Sequence, residues 1–352
     1  MGDVALVAGA SGVTGRNFIQ HFAQCGSWTK IYASSRRKVD FDSKVDHITL
    51  DLGSKDSMLG ELAKVGDVTH VFFCAYQYTG NFAEDASVNF ELFKNLIDAL
   101  EKSSKPLKHV FFMSGTKWYG YSIGAFKTPS KEDDPRTIAP CLYYPMEDFC
   151  INRKAEGAPW TWSSLRPNPV CGFSTGSAMN LTMTIAVYAS ICKELSIPMR
   201  FPGSAAAYDA LLEVVDVAVL ADAAQWIALH PEAANTSYNC SNGDVFRWSD
   251  VWPKLASFFE LAPGEPQKFS MVTVMADYED TWNRIVKQHS LVPHTYKEIA
   301  TWEFGDWVFG QEKDWFTSVN KLRRAGYHQM TVDTCDMFVQ QFQKLREDKV
   351  IP

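Results

Sequence analysis

Long apolar runs are missing from the 352-residue sequence, where no stretch approaches the ~18 residues of a membrane span. Val4-Ala5-Leu6-Val7 lies close to the N-terminus with no basic leader before it, so a cytoplasmic protein without a membrane partner is expected. Paired cysteines are missing as well. Cys25, Cys74, Cys141, Cys150, Cys171, Cys192, Cys240 and Cys335 form no Cys-x-x-Cys, and no histidine stands at metal-ligand spacing. Reduced core thiols are expected, with no disulfide framework and no metal. Dense charge of one sign is absent: 34 Lys+Arg against 41 Asp+Glu leave a net charge of −7, with no basic cluster, which argues against a nucleic-acid partner. Charged residues make up 21% and hydrophobic residues 46%, an ordinary globular balance that excludes disordered and fibrous classes.

Aromatic residues, by contrast, are plentiful. They reach 13%, with 11 Trp and 23 Phe, more than a routine core needs, and point to the enclosure of a large apolar ligand. At ~150 residues per domain the length fits two domains.

The chain opens on an apolar strand-like run over residues 4–8, then Gly9-Ala10-Ser11-Gly12-Val13-Thr14-Gly15, then an amphipathic stretch with Phe18, Ile19 and Phe22. Further strands are expected at 30–34, 45–50, 68–75, 109–114 and 160–165, with helices near 59–64 and 89–100 between them. Alternating strands and helices mean an α/β protein, a Rossmann-type doubly wound parallel sheet. The alternation stops near Arg166-Pro167. Residues 1–170, joined by about 211–240, are expected to form the dinucleotide-binding domain, and 171–210 with 241–352 a smaller, mainly helical substrate-binding cap.

The glycines at 9, 12 and 15 allow a sharp turn, a close backbone approach to a pyrophosphate and an exposed helix N-terminus that favours anions. Ser11 and Val13 belong to the same turn. At the end of the second strand an acidic residue would bind the ribose 2′-OH of NAD; the sequence has Ser35-Arg36-Arg37 instead, whose guanidinium groups suit a 2′-phosphate and hence NADPH. Asp51 and Leu52, after the third strand, either border the adenine or sit in a plain loop.

The chemistry is harder to place. Short-chain dehydrogenases set a catalytic Tyr four residues before a Lys, and no Tyr here has Lys at that spacing. Either the chain is a non-catalytic NADP(H) sensor or the lysine comes from elsewhere. Lys117, just past Ser114 and the fifth strand, is placed to reach the cofactor cleft.

Several blocks, in order, resemble the progesterone 5β-reductase/iridoid synthase-like family of atypical short-chain dehydrogenases. They are Ser35-Arg36-Arg37, Gly115-Thr116-Lys117-Trp118-Tyr119, Tyr143-Tyr144-Pro145-Met146-Glu147-Asp148, residues 165–174 from Leu165 to Ser174, Met179-Asn180, Arg200-Phe201-Pro202-Gly203, residues 241–248 and Ser318-Val319-Asn320-Lys321. The resemblance implies that Lys117 and Tyr143 are the catalytic pair and that NADPH reduces the C=C bond of an enone or enal. Hydride would go to the β-carbon and the Tyr143 phenol would stabilise the enolate. It also implies cofactor contacts at Pro167 and Val170 and a small apolar carbonyl substrate against Tyr76, Trp118, Tyr119, Asn168, Ser174, Met179 and Phe304. Two departures bear on the substrate: Trp118 stands where the family has His, and Tyr76 where it has Trp. Tyr76 either binds the substrate carbonyl or packs. Carbonyl 1,2-reduction, alcohol oxidation and cofactor-retaining isomerisation or cyclisation remain open on such a scaffold. So does the choice between monomer and homodimer.

Overall fold

The computed structural model describes residues 2–39, 41, 44–104, 106–124, 126–138, 140–174, 176–177 and 179–352. Its strands are β1 Val4–Ala8, β2 Lys30–Ser35, β3 Val45–Thr49, β4 His70–Phe73, β5 His109–Met113, β6 Thr161–Pro167, β7 Val170–Cys171, β8 Met199–Arg200, β9 Val215–Asp216, β10 Thr236–Cys240 and β11 Pro263–Gly264. One seven-stranded sheet runs β10-β6-β5-β4-β1-β2-β3, with every neighbouring pair parallel. The strand order reverses direction between β1 and β4, the switch point at which doubly wound sheets bind ligands. The edge strand β10 was not among the strands expected from sequence. Thr-Ser-Tyr-Asn-Cys has no apolar run to announce it.

The first half of the chain supplies the crossover helices α1 Val13–Cys25, α2 Lys55–Leu62, α3 Phe82–Ser103 and α4 Tyr143–Ala155. Helix α3 begins seven residues before the expected position. Asn81 caps it, accepting from the amides of Ala83 and Glu84, and its acidic first turn suits the positive end of the helix dipole. The remaining helices are α5 Leu181–Glu194, α6 Ala205–Asp209, α7 Val217–Leu229, α8 Trp248–Phe258, α9 Met271–Met275, α10 Glu279–Gln288, α11 Tyr296–Ile299, α12 Trp302–Phe309, α13 Asn320–Ala325 and α14 Thr334–Glu347.

Successive strand side chains face opposite sides of a sheet. The doubled phenylalanines of β4 and β5 therefore feed two cores at once. Phe72 and Phe111 pack with Phe18 and Phe22 of α1 and with Leu220 and Ile227 of α7, while Phe73 and Phe112 pack with Phe93 and Leu96 of α3 and with Trp162. Each such ring, fully buried, stabilises the fold by about 1.5–3 kcal/mol. A third core joins α5, α8, α12 and α14 around Phe201, Trp248, Trp252, Phe309 and Phe338. Residues 319–330 pack on the sheet face with α1 and α7, not with that third core. The aromatic excess thus goes largely into three interiors, and much less of it into a ligand enclosure than the composition suggested.

Candidate active site

A cleft of about 840 Å³ opens at the carboxyl ends of β1 to β4. Its lining comes from the carboxyl ends of the strands and the segments that follow them: Gly9, Ser11, Gly12, Val13 and Thr14 after β1, Ser34, Ser35, Arg36 and Arg37 at the end of β2, Leu50, Asp51 and Leu52 after β3, and Cys74, Ala75, Tyr76, Gln77 and Tyr78 after β4. Met179 with Gly176 and Ser177, and Thr295, Lys297 and Glu298 around the start of α11, close it from the other side. The cap's α11 was not anticipated from sequence; its Thr295–Glu298 capping box, Thr-x-x-Glu, was the available signal.

The glycine turn is forced by contact. Gly9 has φ +93° and a Cβ there would stand 2.7 Å from the Ala75 nitrogen, while a Cβ on Gly15 would stand 2.3 Å from the Gly9 carbonyl oxygen. Gly15 therefore lies beneath the turn, outside the lining. A Cβ on Gly12 would meet only the Gly9 carbonyl oxygen, at 3.6 Å; Gly12 caps α1 with no side-chain bond, and the first turn of α1 carries no acidic residue. Backbone amides at a dipole's positive end face the cleft with nothing to compete for an anion, which fits a dinucleotide pyrophosphate. Arg36 and Arg37 are exposed beside it. The Ser35 hydroxyl is committed to the Arg37 carbonyl and to His47 Nε2, and Asp51 accepts from the Gly53 amide at 3.0 Å.

Beyond Tyr76 lies the second group of expected residues. Lys117 sits in the short 3₁₀ turn Thr116–Tyr119 after β5. Its Nζ lies 3.4 Å from the Tyr76 hydroxyl and 5.2 Å from that ring's centre. Burial lowers its pKa, and the carboxylate of Asp85 and the thiol of Cys141 act in the opposite direction. Tyr143 opens α4, and its hydroxyl would be 3.1 Å from a Cβ on Gly115, which lies under the Pro167 carbonyl. Burial, then Cys141 and Asp85, pushes the Tyr143 phenol well above its ordinary value, so it stays protonated. Among the described residues the Tyr143 hydroxyl has no hydrogen-bond partner, and it makes none with Lys117. The Tyr76 proton is not free: it is donated to Asp85 Oδ2 at 2.7 Å. The buried hydroxyls of Ser114 and Ser174 are also without partners among the described residues.

Other expected substrate contacts are placed elsewhere. Successive side chains of a 3₁₀ turn point about 120° apart, so with Lys117 toward Tyr76, Trp118 and Tyr119 turn inward. Trp118 is 3% exposed under the Arg166 guanidinium, 3.6 Å from its ring centre. Tyr119 donates to Asn239 Oδ1 at 2.6 Å. Arg166 pairs with Glu147 at 3.1 Å, and Tyr144 donates to the Trp118 carbonyl, so this part of the 143–148 block holds the fold around the lysine turn. Asn168 is likewise committed, accepting from Thr116 and donating to Glu213 Oε1 at 2.8 Å. Glu213, which sequence reasoning missed, also accepts from Thr317, and burial raises its pKa to about 8. Val170 pairs with Val215 in β7–β9. Phe304 stacks on Trp307, which meets Tyr121 and Trp315, and the Trp315 indole donates to Thr116. That aromatic chain links the cap to the lysine turn.

A family model described as a PRISE-like Rossmann-fold domain matches residues 5–352. The chain is 32% identical to the (S)-8-oxocitronellyl enol synthase of Catharanthus roseus, over 99% of this chain and 92% of that protein. It is 30% identical to the 3-oxo-Delta(4,5)-steroid 5-beta-reductase of Arabidopsis thaliana, over 99% of this chain and 93% of that protein. Among solved structures, the UDP-glucose 4-epimerase of Thermus thermophilus in complex with NAD aligns with a TM-score of 0.64 at 17% identity, covering 97% of this chain and 99% of that one, a likeness of fold.

Proposed function

Because the chain is an oxidoreductase that belongs to the family of PRISE-like Rossmann-fold domains, we propose that it reduces the C=C bond of an apolar α,β-unsaturated carbonyl compound with NADPH. The observation that carries this reading is the Tyr143 hydroxyl, protonated, beside Gly115 and without a partner among the described residues, in one cluster with Tyr76, which Lys117 faces at 3.4 Å.

When bound, the nicotinamide supplies the hydride that the β-carbon accepts. Tyr143 then hydrogen-bonds the carbonyl oxygen as negative charge builds there, a preorganised donor of the kind worth about 2.7–4 kcal/mol. Lys117 contributes a cation close to the same atoms, in a region where burial strengthens its field. Arg36 and Arg37 hold the 2′-phosphate, and the amides of the first turn of α1, which begins at Val13, hold the pyrophosphate. The Phe304–Trp307–Tyr121 chain flanks the site with apolar surface and suits a substrate of low polarity.

The test mixes protein, NADPH and a panel of small enones and enals, cyclohexenone among them, and follows loss of the reduced-nicotinamide absorbance. Turnover with a saturated carbonyl product supports the reading. An alcohol product would mean 1,2-reduction, and no turnover with any member of the panel would overturn it.

A further inference from the structure

The β4–α3 loop is held from below by two buried polar side chains one turn apart on α3. Asp85 is 1% exposed and Asn89 is wholly buried. Asn89 brackets Gln77 through both its backbone amide (2.7 Å) and its carbonyl (2.8 Å). Asp85 Oδ1 accepts from the amide and hydroxyl of Thr79, and Oδ2 from the Tyr76 hydroxyl. Tyr76 in turn faces Lys117 Nζ, giving an unbroken chain from ammonium to phenol oxygen to carboxylate. A carboxylate buried this far persists only with several donors and a nearby cation. Here the donors are Thr79 and Tyr76, the cation is Lys117, and the first turn of a 22-residue helix adds its dipole.

We propose that Asp85 is a positioning residue for the reacting pair, locking Tyr76 as an acceptor for Lys117 and supplying the anion that keeps that lysine charged inside the protein. The proposal rests on the reading of Lys117 and Tyr143 given above. It also assigns Tyr76 a role: its single proton is spent on Asp85, so it shapes the cleft wall and orients the lysine while Tyr143 alone donates to substrate. The other titratable groups facing this cluster are Cys141, Tyr143, Tyr121 and, toward Tyr76, the exposed Tyr78, with Arg166 behind Cys141. Among them the thiol and the phenols are neutral at neutral pH and Arg166 is a cation. Asp85 is therefore the one carboxylate the lysine faces within this group.

The experiment measures the titration midpoint of Lys117 directly, by NMR of protein labelled with ¹³C at lysine Cε, the signal being assigned by its loss in Lys117→Met. Asp85→Asn should lower the midpoint by about one unit or more, the usual effect of removing an opposite charge at close range. The alkaline limb of the kcat/KM profile for NADPH-dependent enone reduction should move down with it. Asp85→Glu, which retains the anion, should keep the midpoint near that of the unaltered protein. It is also the deciding variant if Asp85→Asn does not fold: a fall in its midpoint of the size predicted for Asn overturns the proposal. An unchanged midpoint in a folded Asp85→Asn protein overturns it too. Full activity in Tyr143→Phe and Lys117→Met would instead overturn the reading of the reacting pair, an outcome the lysine titration does not depend on.

Discussion

Replacing Tyr143 by Phe separates catalysis from stability at one atom. The change removes a hydroxyl with no partner among the described residues and leaves the ring packed at the edge of the sheet core. The folded protein gives up no hydrogen bond between described residues, so the melting temperature should stay nearly constant. The reaction, by contrast, loses the donor at the developing enolate, which is about 2.7–4 kcal/mol or roughly 10²–10³ in kcat. Tyr76→Phe, by contrast, costs stability as well. It strips one of the donors from the buried Asp85 carboxylate, and an orphaned buried acceptor costs about 1–3 kcal/mol, so this variant should melt measurably earlier. Both proteins are assayed for NADPH oxidation at saturating enone and by thermal melting. An unchanged kcat in a folded Tyr143→Phe protein would falsify the assignment of Tyr143, and a large fall in its melting temperature would mean that the hydroxyl has a structural role.

Removing both guanidinium groups, Arg36→Ala with Arg37→Ala, should raise the KM for NADPH about 10–100-fold for each guanidinium that holds the 2′-phosphate, while barely changing that for NADH; equal effects on the two cofactors would argue against 2′-phosphate recognition. His70 and His109 sit side by side in β4 and β5, and burial holds both below the ordinary value of 6.5; Lys108 adds to the lowering at His70 although Asp3 opposes it. The unfolded chain then takes up protons that the folded chain refuses, so stability should fall as pH drops below 6.5, by about 1.4 kcal/mol per unit for each histidine. Urea unfolding on either side of that pH checks the sign, and a gain in stability on acidification would refute it. Gly15→Ala places a methyl 2.3 Å from the Gly9 carbonyl oxygen; it should abolish the stabilisation that NADPH gives in a thermal melt, and a normal ligand-induced shift would contradict the close packing of the turn.

Local signals carried much of the fold. The six expected strands all appear; β1, β4 and β5 are the plainest, because buried parallel strands are near-continuous apolar runs that need no partner to be recognised. The glycine turn was equally plain, since its strand, its three glycines and its helix follow one another directly along the chain. Helix α3 starts earlier than its periodicity predicts, because its first two turns, Phe82 to Asn89, are mostly small, polar and charged and show no apolar stripe until Phe90. At the site, the residues of the cofactor cleft adjoin strand ends and could be read one by one. Trp118, Tyr119 and Asn168 could not, because a motif places a residue on a turn without saying which way the turn faces. Arg166, Glu147 and Asn239 decide that, from positions up to 120 residues away. Glu213 and Asp85 were missed for a related reason: a single carboxylate in a sequence carries no sign of being buried.

Apart from the two residues proposed to react, which the family resemblance named, what the sequence by itself determined is the sheet, the glycine turn and the basic end of β2. Those features follow from backbone sterics, hydrophobic periodicity and side-chain chemistry, which act locally. Only the tertiary structure decided which hydroxyls are free. Tyr76 and Tyr143 are the same residue type with similar burial, yet one proton is held by Asp85 of α3 and the other faces Gly115 with no partner among the described residues. A hydrogen bond is satisfied or left open by whatever long-range packing brings within about 3 Å of it, and no spacing along the chain records that distance.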